Sequence, residues 1–245
     1  MPRPDAAIEA QIAAFTRDVQ AALGDRLRSL TLYGSTAGED WIANRSDLNV
    51  AIVVARVTPD VLEALVPVVA RWRGKRFALP LIVDHEYVEA ARDAFPMELD
   101  DIRRQHRVLA GADPFATLVV ERAALRRQCE HEARGKLLRL RAQFLDAAPR
   151  AAALEQLMIE SLKSFLVVLR HLVRLRGGDD VHGYREVLAA GARLLGPLPV
   201  MQRLLDHRAG GTRLGAAALR AEFGAYLGEV ERVVAALDAL DALDA

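Results

Sequence analysis

The 245-residue chain predicts an α+β protein: a small mixed β-sheet domain followed by an all-α helical bundle. Three observations carry this. Short Val-, Ile- and Leu-rich runs alternate with helical periodicity through the first half. Turn signals at Gly111 and Asp113-Pro114 then interrupt the pattern, within His106–Phe115. Beyond them every apolar pattern has helical spacing. The expected domains are residues 1–116 and 117–245.

The elements follow in order. Asp5 to Leu23 predicts a helix, because Ile8, Ile12, Phe15, Val19 and Leu23 recur on one face and Gly24 can end it. Leu27 to Tyr33 and Leu48 to Val54 predict strands. Thr58 is a good N-cap, with Pro59 at the first helical position, for a helix to about Arg73. Ala78 to Val83 predicts a third strand, and Glu86 to Ala94 a short helix. The bundle is expected from helices at Leu118–Leu145, Ala151–Arg176, Tyr184–Leu195, Pro199–Arg208 and Ala216–Leu240, joined by short polar loops.

Composition narrows the function. Lys plus Arg and Asp plus Glu are equal at 33 each, so net charge gives no reason to expect nucleic acid or a membrane surface as partner. No apolar run is long enough to span a bilayer; LVVLRHLVRL is broken by Arg170 and Arg174. Cys129 is the only cysteine, which fits a reducing compartment. MPRPDAAIEA lacks the basic start and apolar core of a signal peptide. The expected location is the cytoplasm, and the apolar bundle leaves room for a homodimer.

The chemistry concentrates in the stretch LYGSTAGEDWIANRSDLNVAIVV, Leu32 to Val54. Asp47 and Asn49 are two positions apart on a strand and so share a face. Asp84 closes the third strand. If the strands are neighbours, Asp47, Asn49 and Asp84 meet at one sheet edge, and gathered oxygens suit a hard cation such as Mg²⁺. Gly34 and Ser35 end the preceding strand, where close backbone approach and a hydroxyl suit a phosphate.

This order resembles the signature of the nucleotidyltransferase superfamily typified by DNA polymerase beta. There a strand, Gly-Ser, a loop, acid-x-acid on the next strand and a third acid on a later strand come in sequence. The match here is Gly34, Ser35, an eleven-residue gap, Asp47-x-Asn49 and Asp84. The helical half also fits, since aminoglycoside-type and minimal members carry such a domain. The resemblance implies transfer of a nucleoside monophosphate from a nucleoside triphosphate (ATP or another) to a hydroxyl, with pyrophosphate leaving. Mg²⁺ would sit on Asp47, Asn49 and Asp84 as the catalytic and metal set. Gly34 and Ser35 would cradle the triphosphate, and a small-molecule or protein acceptor would be favoured over nucleic acid.

Asn49 departs from the signature. Its amide oxygen can ligate Mg²⁺ but carries no charge. Unit charges about 4 Å apart interact by roughly 4 kcal/mol at an effective dielectric of about 20, so losing one carboxylate weakens a two-cation site. The enzyme works with one metal or with Glu86 in substitution, or the fold keeps nucleotide or partner binding and has lost transfer.

The Arg-rich helix after residue 117 carries Arg127, Glu130, Arg134 and Arg141 on one stripe, as a solvated face of i,i+3 and i,i+4 pairs would. Lys136, one of few lysines, is the candidate there for a nucleotide contact. Glu130 or Glu132 would be the general base if the helix bordered the site, by analogy of position with aminoglycoside nucleotidyltransferases. Arg176, His182 and Tyr184 are similar in order to the HEPN helical domains that accompany minimal nucleotidyltransferases and, in toxins, cleave RNA. A Gly-Gly-Asp-Asp loop between Arg176 and His182 speaks against that geometry.

Overall fold

The computed structural model describes residues 5–34, 47–178, 180–208 and 219–240. It divides into two units, Met1–Glu121 and Arg122–Ala245. Ser35 and the start expected at Ala216 for the last helix lie outside the described residues.

The first unit begins with α1 (Ala6–Leu23), whose N-cap Asp5 accepts the Ile8 N–H at 2.9 Å. The apolar stripe Ile8, Ile12, Phe15, Val19 and Leu23 is buried. Then follow β1 (Leu27–Tyr33), β2 (Asn49–Val54), α2 (Pro59–Trp72), β3 (Leu81–Asp84), α3 (His85–Ala90), α4 (Pro96–Arg104) and β4 (His106–Gly111). Thr58 caps α2 through the Val61 N–H.

These strands form one mixed sheet in the order β3-β2-β1-β4. β1 runs antiparallel to both β2 and β4, and β2 runs parallel to β3. A parallel pair needs a crossover, which α2 supplies. Helices cover both faces. Leu30, Leu32, Val50 and Ile52 share a core with the stripes of α1 and α2, where Phe15 stacks on Phe77 at 4.4 Å. Ala51, Val53 and Val83 pack with Val88 of α3 and Leu99 and Ile102 of α4. Burial on both sides is why β2 reads VAIVV without alternation.

Two elements have no counterpart in the sequence expectation. α4 is a short helix, PMELDDIRR, in which charges outnumber apolar residues. It is held by Leu99 and Ile102 against the sheet. β4 is a half-buried edge strand, HRVLAG, inside the stretch expected to be a turn. Its end is a true turn: Gly111 has φ 79°, and a Cβ there would lie 2.0 Å from the Arg28 carbonyl oxygen.

The second unit is all helical: α5 (Arg122–Ala147), α6 (Ala151–Leu175), α7 (Tyr184–Leu195), α8 (Pro199–Arg208) and α9 (Leu219–Asp238). Several charges of α5 are paired within the unit. Glu130 pairs with Arg126 and Arg134, Arg134 reaches Asp238 at 2.7 Å, and Arg141 reaches Glu231 at 2.8 Å. α6 is apolar around most of its circumference, and α7 approaches it closely at Gly191, where a Cβ would lie 2.5 Å from Leu169 Cδ2. Buried Glu229 accepts the Val200 and Met201 N–H groups, both at 2.8 Å, satisfying the start of α8. Burial pushes its carboxyl pKa up, against the opposing pull of those two N–H groups. Among the described residues no helix is long and apolar enough to cross a membrane.

Candidate functional site

The antiparallel register of β1 and β2 pairs Tyr33 with Asn49, so Gly34 leaves the sheet beside the start of β2. Gly34 has φ 75°, in the left-handed region that favours glycine. A Cβ on it would lie 3.2 Å from Asn49 Nδ2, so the Asn49 amide packs directly against the glycine. Asp47 is exposed one residue before the fully buried Leu48. The Leu48 N–H donates to the Arg76 carbonyl at 2.8 Å, and its own carbonyl accepts from Ala78 at 3.1 Å. These bonds extend the sheet upstream of β2 and bring Asp47, Asn49 and Gly34 together at one edge.

Asp84 is at the other end of the sheet. β2 and β3 are parallel, and the register partner of Asp84 is Val54, not Asn49. Asn49 lies five positions up β2 from Val54, or about 16 Å at roughly 3.3 Å per residue. The expected meeting of Asp84 with Asp47 and Asn49 therefore does not occur. Asp84 instead caps α3, accepting the Tyr87 N–H at 2.9 Å and the Val57 N–H at 3.4 Å. Glu86 follows it on α3 and is likewise removed from the edge. Where β3 begins, beside the Asn49 edge, the chain offers Ala78, Leu79 and Pro80 and no carboxylate.

Three residues at this edge went unnoticed in the sequence. Tyr33 pairs with Asn49 on one side and His106 on the other, so the three form a row on one sheet face. Burial raises the Tyr33 phenol pKa and keeps it neutral. The His106 ring contacts the Ile102 carbonyl at 2.8 Å and the Asp113 carboxylate at 3.0 Å, pinning the turn after β4 to α4. Arg76 is the one described non-glycine residue with positive φ, 70°. Such strain is costly and gathers at functional sites. The Leu48–Phe77 bridge sets Arg76 beside Asp47 in the register. No motif marks these positions; only the strand pairing selects them.

The remaining candidates belong to the second unit. Lys136 lies on α5 of the helical unit and pairs with Glu132. Glu130 is taken by two arginines, as above. Arg176 donates to the Ala236 carbonyl at 3.3 Å, while His182 meets Arg174 at 3.4 Å. Arg176 and His182 thus serve different partners, and the pairing needed for RNA cleavage is not made.

Among the described residues the edge does not assemble the donor set of a two-metal centre. Mg²⁺ sites of that kind gather several anionic oxygens around the ions. Here Asp47 is the single carboxylate that the described strands bring to the edge, Asn49 is neutral, and Asp84 is committed to α3. Among the described residues no group of three or more His, Cys, Asp and Glu side chains is placed to hold a metal ion.

No family model matches the chain. No curated protein matches it either. Among solved structures, it is similar to spectinomycin adenyltransferase AAD(9) from Enterococcus faecialis, determined with ATP and spectinomycin. The TM-score is 0.60 over 94% of this chain and 99% of that one, at 14% sequence identity. The likeness is one of fold: this chain has the nucleotidyltransferase fold followed by a helical bundle.

Proposed function

We propose that this chain binds a nucleoside triphosphate at the Gly34–Asn49 edge without running two-metal nucleotidyl transfer. The observation that carries the proposal is Asn49, whose neutral amide packs against Gly34 where the superfamily signature has an acid. Gly34, with Ser35 after it, offers backbone to the phosphates. Arg76, beside Asp47, offers positive charge of the kind triphosphates require. The fold neighbour's ATP supports the choice of ligand.

Transfer of a nucleoside monophosphate to a hydroxyl on a small molecule is the second reading. Two observations favour it: Asp47 is kept beside Gly34, and the neighbour was solved with ATP and a small-molecule acceptor.

Calorimetric titration with ATP, in EDTA and in Mg²⁺, run beside a pyrophosphate-release assay, separates the two. Saturable ATP binding in both buffers with no pyrophosphate supports the first. Pyrophosphate release that stops in Asp47→Asn supports the second. If ATP binds in neither buffer, both are wrong.

A further inference from the structure

The far end of the sheet holds a pocket of about 400 Å³, lined by Arg28, Ser29, Val53, Val54, His85 and Thr117 among others. It opens where β2 and β3 end, at the carboxyl ends of the parallel strands, the place where open sheets bind ligands. It is separated from the Gly34–Asn49 edge by the length of β2. Its size is at the small end of the range for ligand pockets, roughly 300–1,000 Å³.

We propose that this pocket binds a small organic oxyanion, a phosphate or carboxylate group on a short apolar body. Arg28 and His85 both line it, both are exposed, and neither side chain has a partner among the described residues. Arg28 stands at a β-bulge: Leu27 pairs with Val54 and Ser29 with Val53, leaving Arg28 as the extra residue. Bulges re-aim side chains, and this one sits at the pocket. The opposing charge, Asp113, is already engaged by the His106 ring at 3.0 Å and the Phe115 N–H at 2.9 Å. The free charge facing the pocket is therefore cationic.

A buried hydroxyl adds to it. Ser29 is 1% exposed and shares a 3.2 Å hydrogen bond with the Thr31 hydroxyl. Two hydroxyls joined by one bond spend one of their two hydrogens, so one O–H is left to donate elsewhere. Val53, Val54 and Pro114 supply the apolar wall. Guanidinium, imidazole, hydroxyl and an apolar wall together select an oxyanion on a small body over a free metal ion or a long polymer.

The test is a nuclear magnetic resonance titration of the full-length chain at constant pH and ionic strength. The probes are inorganic phosphate, phenyl phosphate and benzoate, with chloride as control. Saturable shifts at the Arg28 and His85 side chains, absent with chloride and at least tenfold weaker in Arg28→Gln/His85→Asn, are expected. Both positions are exposed, so the double variant should keep a native spectrum. Phenyl phosphate or benzoate binding more tightly than inorganic phosphate assigns the pocket to an organic anion. An equal response assigns it to the free ion and overturns the apolar wall as part of the site. No saturable shift with any probe, or shifts that survive in the double variant, overturn the proposal as a whole.

Discussion

Placing an acid at residue 49, Asn49→Asp, is the sharpest perturbation of the candidate edge. Residues 47 and 49 share a strand face about 6.6 Å apart by the strand rise. Two unit charges at that distance repel by about 0.6 kcal/mol at a dielectric of 80, and by about 2.5 kcal/mol at 20. Asp47 is exposed, so the cost belongs toward the lower figure, about 1 kcal/mol. At roughly 2–4 °C per kcal/mol for a chain of this size, the melting temperature should fall by a few degrees. A divalent cation seated between the carboxylates would reverse the loss, because binding to the native state alone stabilises it.

The assay is thermal unfolding of wild type and Asn49→Asp in low salt, with millimolar MgCl₂ or with NaCl matched in ionic strength. Matching matters, since salt alone screens the repulsion. The variant should gain more from Mg²⁺ than from NaCl, and the wild type should respond to both alike. If the wild type gains as much from Mg²⁺ as the variant does, the edge already holds the ion with Asn49 in place. The argument from carboxylate count would then be wrong.

Gly34→Ala should cost about 1–2 kcal/mol for its left-handed backbone, displace the Asn49 amide, and abolish ATP binding in calorimetry. Arg76→Gly relieves the positive φ, so it should leave the melting temperature unchanged or higher while ATP affinity falls at least tenfold. An unchanged affinity would remove Arg76 from the site. Asp84→Ala deletes the cap of α3 and should cost about 1 kcal/mol in denaturant unfolding, with the ATP response intact. A lost ATP response would return Asp84 to the nucleotide site. For Glu229 the carboxyl pKa is raised above its ordinary 4.5, chiefly by burial. The native state therefore holds the proton more tightly than the unfolded chain, and this stabilisation is full below about pH 4.5 and lost as pH rises through the raised value. Glu229→Gln cannot titrate, so wild-type stability measured against it in denaturant should decline from pH 4 to 7.

Much of the fold was legible because single residues announce it. Thr58 caps the helix its position promises, and the stripe from Ile8 to Leu23 is buried as its spacing requires. α4 and β4 were not legible. Nine residues of PMELDDIRR carry too few apolar positions to show a period, and HRVLAG becomes a strand by pairing with β1. The placement of Asp84 failed for one physical reason, the direction of β3. An antiparallel β3 would end beside Asn49; a parallel one ends beside Val54. A clue was present: the helix between Thr58 and Arg73 is the kind of crossover that parallel strands need and hairpins do not.

The likeness of fold at low sequence identity has a structural explanation. The first unit is held by two apolar layers, in which Leu48, Val50 and Ile52 face α1 and α2 while Ala51 and Val53 face α3 and α4. None of these contacts depends on the charge of residue 49, which lies at the margin of the sheet and is only half-buried. Cores of this kind tolerate extensive apolar substitution when volume and pattern are kept, so a shared fold survives at 14% identity. An amide in place of an acid at the margin costs the core nothing, while it leaves less charge than a metal there would need. The buried layers thus account for the fold, and on the proposed reading residues 47, 49 and 76 decide what a ligand at the edge would meet.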